Sequence, residues 1–446
     1  MHLEFQKELF WIWMKFRFMN NRSLKNAAWI VGCKCVQSVL GLVISMFSAR
    51  YLGPANYGLI NYIASVVAFV IPVMQLGLRS TLVQEFIDDP DGEGKTLGTA
   101  LGMNVISSIA CMVGVTSFVG LVNRDEKTTL IVCALYSLNL LFQALEMTQY
   151  WFQAKLLSKY PSIVALVAYG VMSAYKIFLL VTEKSIHWFA LSQSVDYAVI
   201  AVALLIIYKK LGGGKLRFSF SRARQMFSRS CHYIVSGLMV TVFQQTDRFM
   251  IKLMLGDEQT GFYSAAVVCA GITSFVFAAI IDSMRPVILE AKGQSEVSFE
   301  TKMSWLYSIV FYLSLAQCIV MAVGAPLIIY ILYGNEYMSA VPALQVIVWY
   351  VTYSYFGSVR NVWILAEGKQ KYLWIINLSG AVLNVALNLL MIPMWGIVGA
   401  SLASVLTQLF TNFILGFIMP PIRHSNTLML RGMNPKFLIS KLKEMI

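Results

Sequence analysis

Apolar runs of roughly twenty residues recur along the whole chain, and that is the length a helix needs to cross the hydrocarbon core of a bilayer. A single such run is compatible with a buried core helix; a series of them is not. Composition agrees, since 58% of the 446 residues are hydrophobic and 13% charged, with a mean hydropathy of +0.67, outside the balance of an ordinary soluble domain. The runs lack the alternation and turn spacing of a membrane barrel, so helices are the way to satisfy the backbone in lipid. The expected fold class is an all-α integral membrane protein with about twelve transmembrane helices. In order these are Ala27 to Ala49, Gly58 to Leu78, Leu97 to Val122, Thr129 to Phe152, Pro161 to Val181 and Ile186 to Tyr208, then Cys231 to Leu255, Phe262 to Ile288, Ser304 to Leu332, Val341 to Ala366, Tyr372 to Pro393 and Gly396 to Met419.

The spans divide the chain. Residues 1–22 form an interfacial N-terminal segment, because the apolar stretch Leu9 to Met19 is short and interrupted by Lys15 and Arg17. No small-residue cleavage site follows it, so no cleavable signal peptide is expected. An N-lobe over 23–211 and a C-lobe over 230–420 are joined by a basic cytoplasmic loop, 212–229, and followed by a basic tail, 421–446. Within the tail, Pro435 to Ile446 sets Phe437, Leu438, Leu442 and Met445 against Lys436, Lys441 and Lys443, an amphipathic pattern suited to a membrane face.

Lys and Arg give the orientation. With the N-terminus inside, one side receives Lys7, Lys25, Arg79, Lys95, Lys155, the cluster Lys209 to Arg229, Arg285, Lys369 and the tail. The other side receives little beyond Arg124, Lys127 and Lys184. The asymmetry places both ends in the cytoplasm. The net charge of +13 then meets anionic membrane lipids, and no nucleic acid is needed as partner.

The stretch Ser230 to Ala266 breaks the apolar rule. Gln244, Gln245, Asp247, Arg248 and Lys252 stand in a helix of spanning length, where a central charge costs about 2.5–3.5 kcal/mol on insertion scales. They mark either an internal ion pair holding helices together or a polar path. Further charges fall in spans or at their ends: Lys34, Arg50, Lys176 and Arg360, with Glu146, Asp196, Asp282 and Glu367. Asp247 points about 100° away from Arg248 around the helix, so the two need not pair, whereas Asp282 and Arg285 share a face. Asn384 and Asn388, one turn apart, suit interhelical hydrogen bonds or sugar contacts.

The halves repeat. Leu52 to Gly58 reads LGPANYG and Leu255 to Gly261 reads LGDEQTG, each joining the first two helices of its half. Each second helix ends in an Arg followed by a Glu, Arg79 with Glu85 and Arg285 with Glu290. Transporters use repeats of this kind to place a site between halves.

With SARYLGPANYG (Ser48 to Gly58), QLGLRSTLVQE (Gln75 to Glu85), the run Gln244 to Ala266 and WGIVGASLAS (Trp395 to Ser404), the chain resembles the Wzx-type O-antigen flippases, the polysaccharide transporter branch of the multidrug/oligosaccharidyl-lipid/polysaccharide exporter superfamily. The resemblance implies two six-helix lobes facing a central cavity in the bacterial cytoplasmic membrane. It also implies a substrate: a polyprenyl-pyrophosphate-linked oligosaccharide, moved to the outer leaflet by alternating access for O-antigen, capsule or exopolysaccharide synthesis. Other polysaccharide-assembly proteins are candidate partners beside membrane lipids. Candidate pyrophosphate contacts are Arg248, first because its planar fork donates bidentately, then Lys34, Lys176, Arg285 and, at the cytoplasmic mouth by resemblance, Arg79. Candidates for sugar contact or for a coupling proton or sodium ion are Asp247, Gln244, Glu146, Asp196 and Asp282. Only Lys34 lies well inside the first helix, which argues against a peptidoglycan precursor.

No enzyme is read from the chain. DPDGEGKTLG, Asp89 to Gly98, ends like a phosphate-binding loop but has Asp where the first Gly belongs. The four His and seven Cys lack metal-ligand spacing, so no catalytic or metal residue is assigned. Two alternatives remain: a MATE-like exporter of organic cations, which predicts an acidic cavity, and a membrane polymerase or ligase, which needs a sizeable outer loop.

Overall fold

A computed structural model describes residues 21–445, in which every regular element is helical. The expected interfacial stretch Leu9 to Met19 lies outside the described residues. The N-terminal half contains α1 (Asn21–Met74), α2 (Leu82–Asp88), α3 (Glu93–Val122), a crossing built from α4 (Lys127–Ser137), α5 (Asn139–Leu145) and α6 (Gln149–Ala154), then α7 (Lys159–Val181) and α8 (Ile186–Lys210). The C-terminal half contains α9 (Phe220–Leu255), α10 (Asp257–Ala270), α11 (Ser274–Gln294), α12 (Glu296–Tyr333), α13 (Val341–Ala366) and α14 (Leu373–Leu409), followed by α15 (Leu415–Ile418), α16 (Arg423–Met433) and α17 (Pro435–Met445).

Among the described residues seven helices are long and apolar enough to cross a membrane, eight with the pair α10 and α11, bent by 41°. Twelve crossings follow because α1 is broken at Gly53 and the last long helix at Gly396, while α9 and α13 cross with polar residues in mid-helix. The protein is thus a multi-pass membrane protein of two six-helix lobes, as the apolar runs predict.

One difference concerns the connecting segment. The loop expected over 212–229 ends at Ser219, whose hydroxyl accepts from the Arg222 N–H and caps α9. The first turns of α9 are basic and read as loop, yet they fold because Met226 joins the apolar cluster of Leu78, Leu82 and Phe86. The same turns place Arg222 and Arg229 on Glu85, at 3.2 and 3.0 Å, and the Ser230 hydroxyl on the Leu76 carbonyl at 2.8 Å. Glu85 is therefore held by Arg222 and Arg229 of α9, and Arg285 is paired with Asp282.

At the opposite end, on the side assigned as outer, the lobes meet through their repeated turns. Gly53 and Gly256 adopt the same backbone, φ 71° and ψ 170° against φ 91° and ψ −176°, a region glycine enters without a steric penalty. A Cβ on Gly58 would meet the Asp257 carbonyl oxygen at 1.8 Å, and one on Gly261 the Pro54 carbonyl oxygen at 2.0 Å. Pro54 and Asp257 each follow the Leu-Gly pair, so the contact is reciprocal. Around it, Arg50 donates to the last carbonyls of α12, Tyr330, Ile331 and Leu332, and the Tyr337 hydroxyl to the Ala49 carbonyl at 2.8 Å. Arg50 thus acts as an outer-end anchor at a helix C-terminus.

Beyond the spans, α16 packs its Gly432 on the backbone of Ser304 and pairs Ser425 with Tyr307 at 2.8 Å, and the expected amphipathic helix follows as α17. The glycine contact is testable: Gly261→Ala pushes a methyl into main chain that cannot yield, and the expected loss is about 1–3 kcal/mol, read as a lower melting temperature in detergent. An equal change at Gly114, inside α3, whose Cβ meets nothing within 4 Å, does not lower the melting temperature.

Candidate functional site

The polar residues of α9 face into the C-lobe. Asp247 is 9% exposed, and four neutral donors converge on its carboxylate: the Tyr263 hydroxyl at 2.6 Å, Asn388 Nδ2 at 2.6 Å, Asn384 Nδ2 at 3.0 Å and the Ser404 hydroxyl. They come from α10 and from both sides of the Gly396 break in α14. Among the described residues no cation pairs with Asp247, and Asn388 Oδ1 is buried without a hydrogen-bond partner. The asparagine pair thus makes the interhelical hydrogen bonds that its spacing predicts, with the aspartate as common acceptor. Arg248 turns away as expected, donates to Gln245 Oε1 at 3.2 Å, and keeps a buried Nε with no partner. Asp247, Arg248 and Gln244 line one cavity of about 150 Å³.

The N-lobe has its own polar cavity of about 270 Å³, which Lys176 of α7 and Asp196 of α8 line together with Asn61, Tyr169 and Gln193. Asp196 Oδ1 is buried and unpartnered, and Lys176 bears on it electrostatically without forming an ion pair. Glu146 lies in the fields of Arg79 and Asp196. Arg79, Glu146, Asp196 and Lys176, expected from four separate segments, thus act on one another electrostatically in succession. Arg79 itself is exposed on the turn Leu78–Ser80.

Two expected residues stand apart. Arg285 and Asp282 form an exposed pair at 3.0 Å on α11, outside both cavities, because three-residue spacing lets each satisfy the other. Lys34 lies on α1, but its side chain is outside the described residues.

Lys252, unlike Arg248, is fully engaged. Its ammonium is 4% exposed and contacts Glu126 and Asp257, each at 2.8 Å. Glu126 belongs to the α3–α4 loop of the N-lobe, so the triad ties the lobes at the end opposite the Glu85 cluster. Burial alone would raise the Glu126 carboxyl, but hydrogen bonds from Lys252 and Thr129 and the Lys252 charge outweigh it and hold the carboxyl below its ordinary value. Sequence reasoning did not find Glu126, whose one signal was that a buried Lys252 needs a counter-charge. Tyr263 and Ser404 were also missed; both look like ordinary helix residues until Asp247 is placed beside them.

The arrangement offers cations to an anionic group in both lobes and a preformed oxygen cluster at Asp247. A family model described as polysaccharide biosynthesis protein matches residues 23–292, more than half of the chain. The chain belongs to the polysaccharide biosynthesis protein family. Putative O-antigen transporters of Shigella flexneri and Escherichia coli are each 20% identical to it, over 85% and 90% of this chain and 93% and 98% of their own. An uncharacterized membrane protein of Methanocaldococcus jannaschii is 27% identical over 50% of this chain, which spans 45% of that relative's length.

Solved structures share the fold of this family member at 14% identity. The lipid II flippase MurJ in an inward closed conformation superposes with a TM-score of 0.71, covering 93% of this chain and 92% of that one. An inward-facing multidrug resistance MATE transporter of the MOP superfamily gives 0.68, covering 88% and 95%.

The outer triad predicts an acid effect. Because pairing depresses the folded-state value of Glu126, its stabilisation is present above the ordinary carboxyl value and is lost as pH falls through the lowered one. Melting temperature followed into the acid range is expected to drop more steeply for wild type than for Glu126→Gln, which has no such bond to lose.

Proposed function

We propose that this chain is a flippase carrying a polyprenyl-pyrophosphate-linked oligosaccharide from the cytoplasmic to the outer leaflet of the bacterial cytoplasmic membrane, with both termini inside, by alternating access of its lobes. The observation that carries this reading is the pair of cavities, one per lobe, each lined by a cation with no ion-pair partner among the described residues: Arg248 in one and Lys176 in the other. Such cations favour a substrate whose most hydrophilic part is anionic, and the prenyl chain stays in lipid beside the lobes. Family membership and the O-antigen transporter relatives support the same substrate class.

In this reading Arg248 and Lys176 contact the diphosphate, Lys34 adds a charge in the first helix and Arg79 one at the cytoplasmic mouth. Arg285, held by Asp282, contributes least. Asp247 takes a coupling proton or sodium ion, since its carboxylate and the free Asn388 Oδ1 supply hard oxygen ligands. Gln244, Glu146 and Asp196 line the route for sugar or ion.

Purified protein in liposomes loaded with a short-chain prenyl pyrophosphate oligosaccharide tests the function. Wild type is expected to exchange the lipid between leaflets, with Arg248→Ala slower by about ten- to a hundredfold, the range of a lost charge-assisted contact. Asp247→Asn is expected to exchange without dependence on a proton or sodium gradient. Absence of exchange across a panel of sugars, together with proton-driven efflux of an organic cation, overturns the reading in favour of a cation exporter.

A further inference from the structure

The C-lobe contains a second cavity, of about 410 Å³, on the side of the Asp247 cluster that the proposed orientation makes cytoplasmic. Arg360 of α13 lines it, 3% exposed. Its described hydrogen bonds run to the Thr411 carbonyl at 2.6 Å and to Asn412 Oδ1 at 2.8 Å, both within the π-helical turn Phe410–Ile414. Neither acceptor carries charge, no described carboxylate pairs with the guanidinium, and Nε is buried without a partner. The polar wall beside it is neutral as well: Ser354, Ser358, Asn361, Asn377 and Gln408.

A buried cation normally has its charge neutralised by a paired acid, as Lys252 does in the same lobe. Arg360 has instead a cavity in the size range of small-ligand sites. Its two bonds fix the plane of the guanidinium and leave further donors for the cavity, the geometry that suits a bidentate phosphate contact. The cavity also shares Phe243, Gln244 and Tyr350 with the cavity of Asp247 and Arg248, so the two guanidinium groups line adjoining spaces.

We propose that Arg360 is a diphosphate-binding residue, forming the cytoplasmic-side stop from which the group passes to Arg248. Thr411 and Asn412 position the guanidinium. The assignment of the diphosphate to a lipid-linked sugar rests on the function proposed above; the anion site itself does not.

Binding of geranyl pyrophosphate and of inorganic pyrophosphate to full-length protein in nanodiscs tests the site, using Arg360→Met and Ser358→Phe. The second variant fills the cavity and leaves both Arg360 bonds in place, so it decides the matter if the first fails to fold. The expected result is affinity at least about tenfold weaker in both, with unchanged melting, as loss of a charge-assisted contact requires. Equal binding of the two probes identifies a diphosphate from any source; preference for the prenyl form identifies the lipid-borne head group. Wild-type affinity in a folded Ser358→Phe or Arg360→Met protein overturns the site. If wild type also exchanges lipid-linked sugar between leaflets, that outcome leaves the flippase reading intact. Weakened binding in the variants with no exchange by wild type keeps the anion site and overturns the flippase.

Discussion

A charge placed in hydrocarbon costs about 2.5–3.5 kcal/mol unless the protein solvates it, and the manner of solvation sorts the charged residues of this chain into two sets. Glu85 is held between Arg222 and Arg229, and Lys252 between Glu126 and Asp257. In both clusters the partners reach across from one lobe to the other. Neutralised charges therefore serve as the clasps of the two-lobe body, one at each end of the membrane. Among the described residues Asp247, Arg248 and Arg360 have only neutral partners, within their own lobe, and each lines a cavity. Charge left uncompensated coincides with the spaces a ligand can enter.

That division lets charges that satisfy one another hold the lobes together, apart from the charges that line the cavities. A clasp made of opposite charges satisfies itself and asks nothing of a substrate. A guanidinium held by a carbonyl and an amide oxygen is fixed in place but keeps its full charge, so its orientation is prepared before any anion arrives. The neutral cage around Asp247 likewise fixes its carboxylate without pairing its charge.

The spans were legible because apolar length is a local property, and the repeat because positive φ combined with extended ψ, as at Gly53 and Gly256, favours glycine. The Asn384 and Asn388 pair was legible from one-turn spacing. What stayed hidden depends on contacts between residues far apart: Glu126 lies 126 positions before Lys252, and Ser404 lies 157 after Asp247. The start of α9 was hidden for another reason, since its basic residues look like loop until Glu85 and the apolar cluster of α2 are brought beside them. The pairing of Arg285 with Asp282 was legible as well, because three-residue spacing on one helix face is a local property.

The reciprocal contact of the repeated turns has a consequence for how such a chain can arise and diverge. Each half presents both a glycine and the carbonyl oxygen that glycine receives, so each is complementary to a copy of itself rotated by half a turn about the membrane normal, the relation found in isologous dimers. The match uses main chain alone. Pro54 and Asp257 offer the same carbonyl with unrelated side chains, which frees the side chains at the seam to specialise without disturbing the symmetry, and Asp257 has used that freedom to bind Lys252.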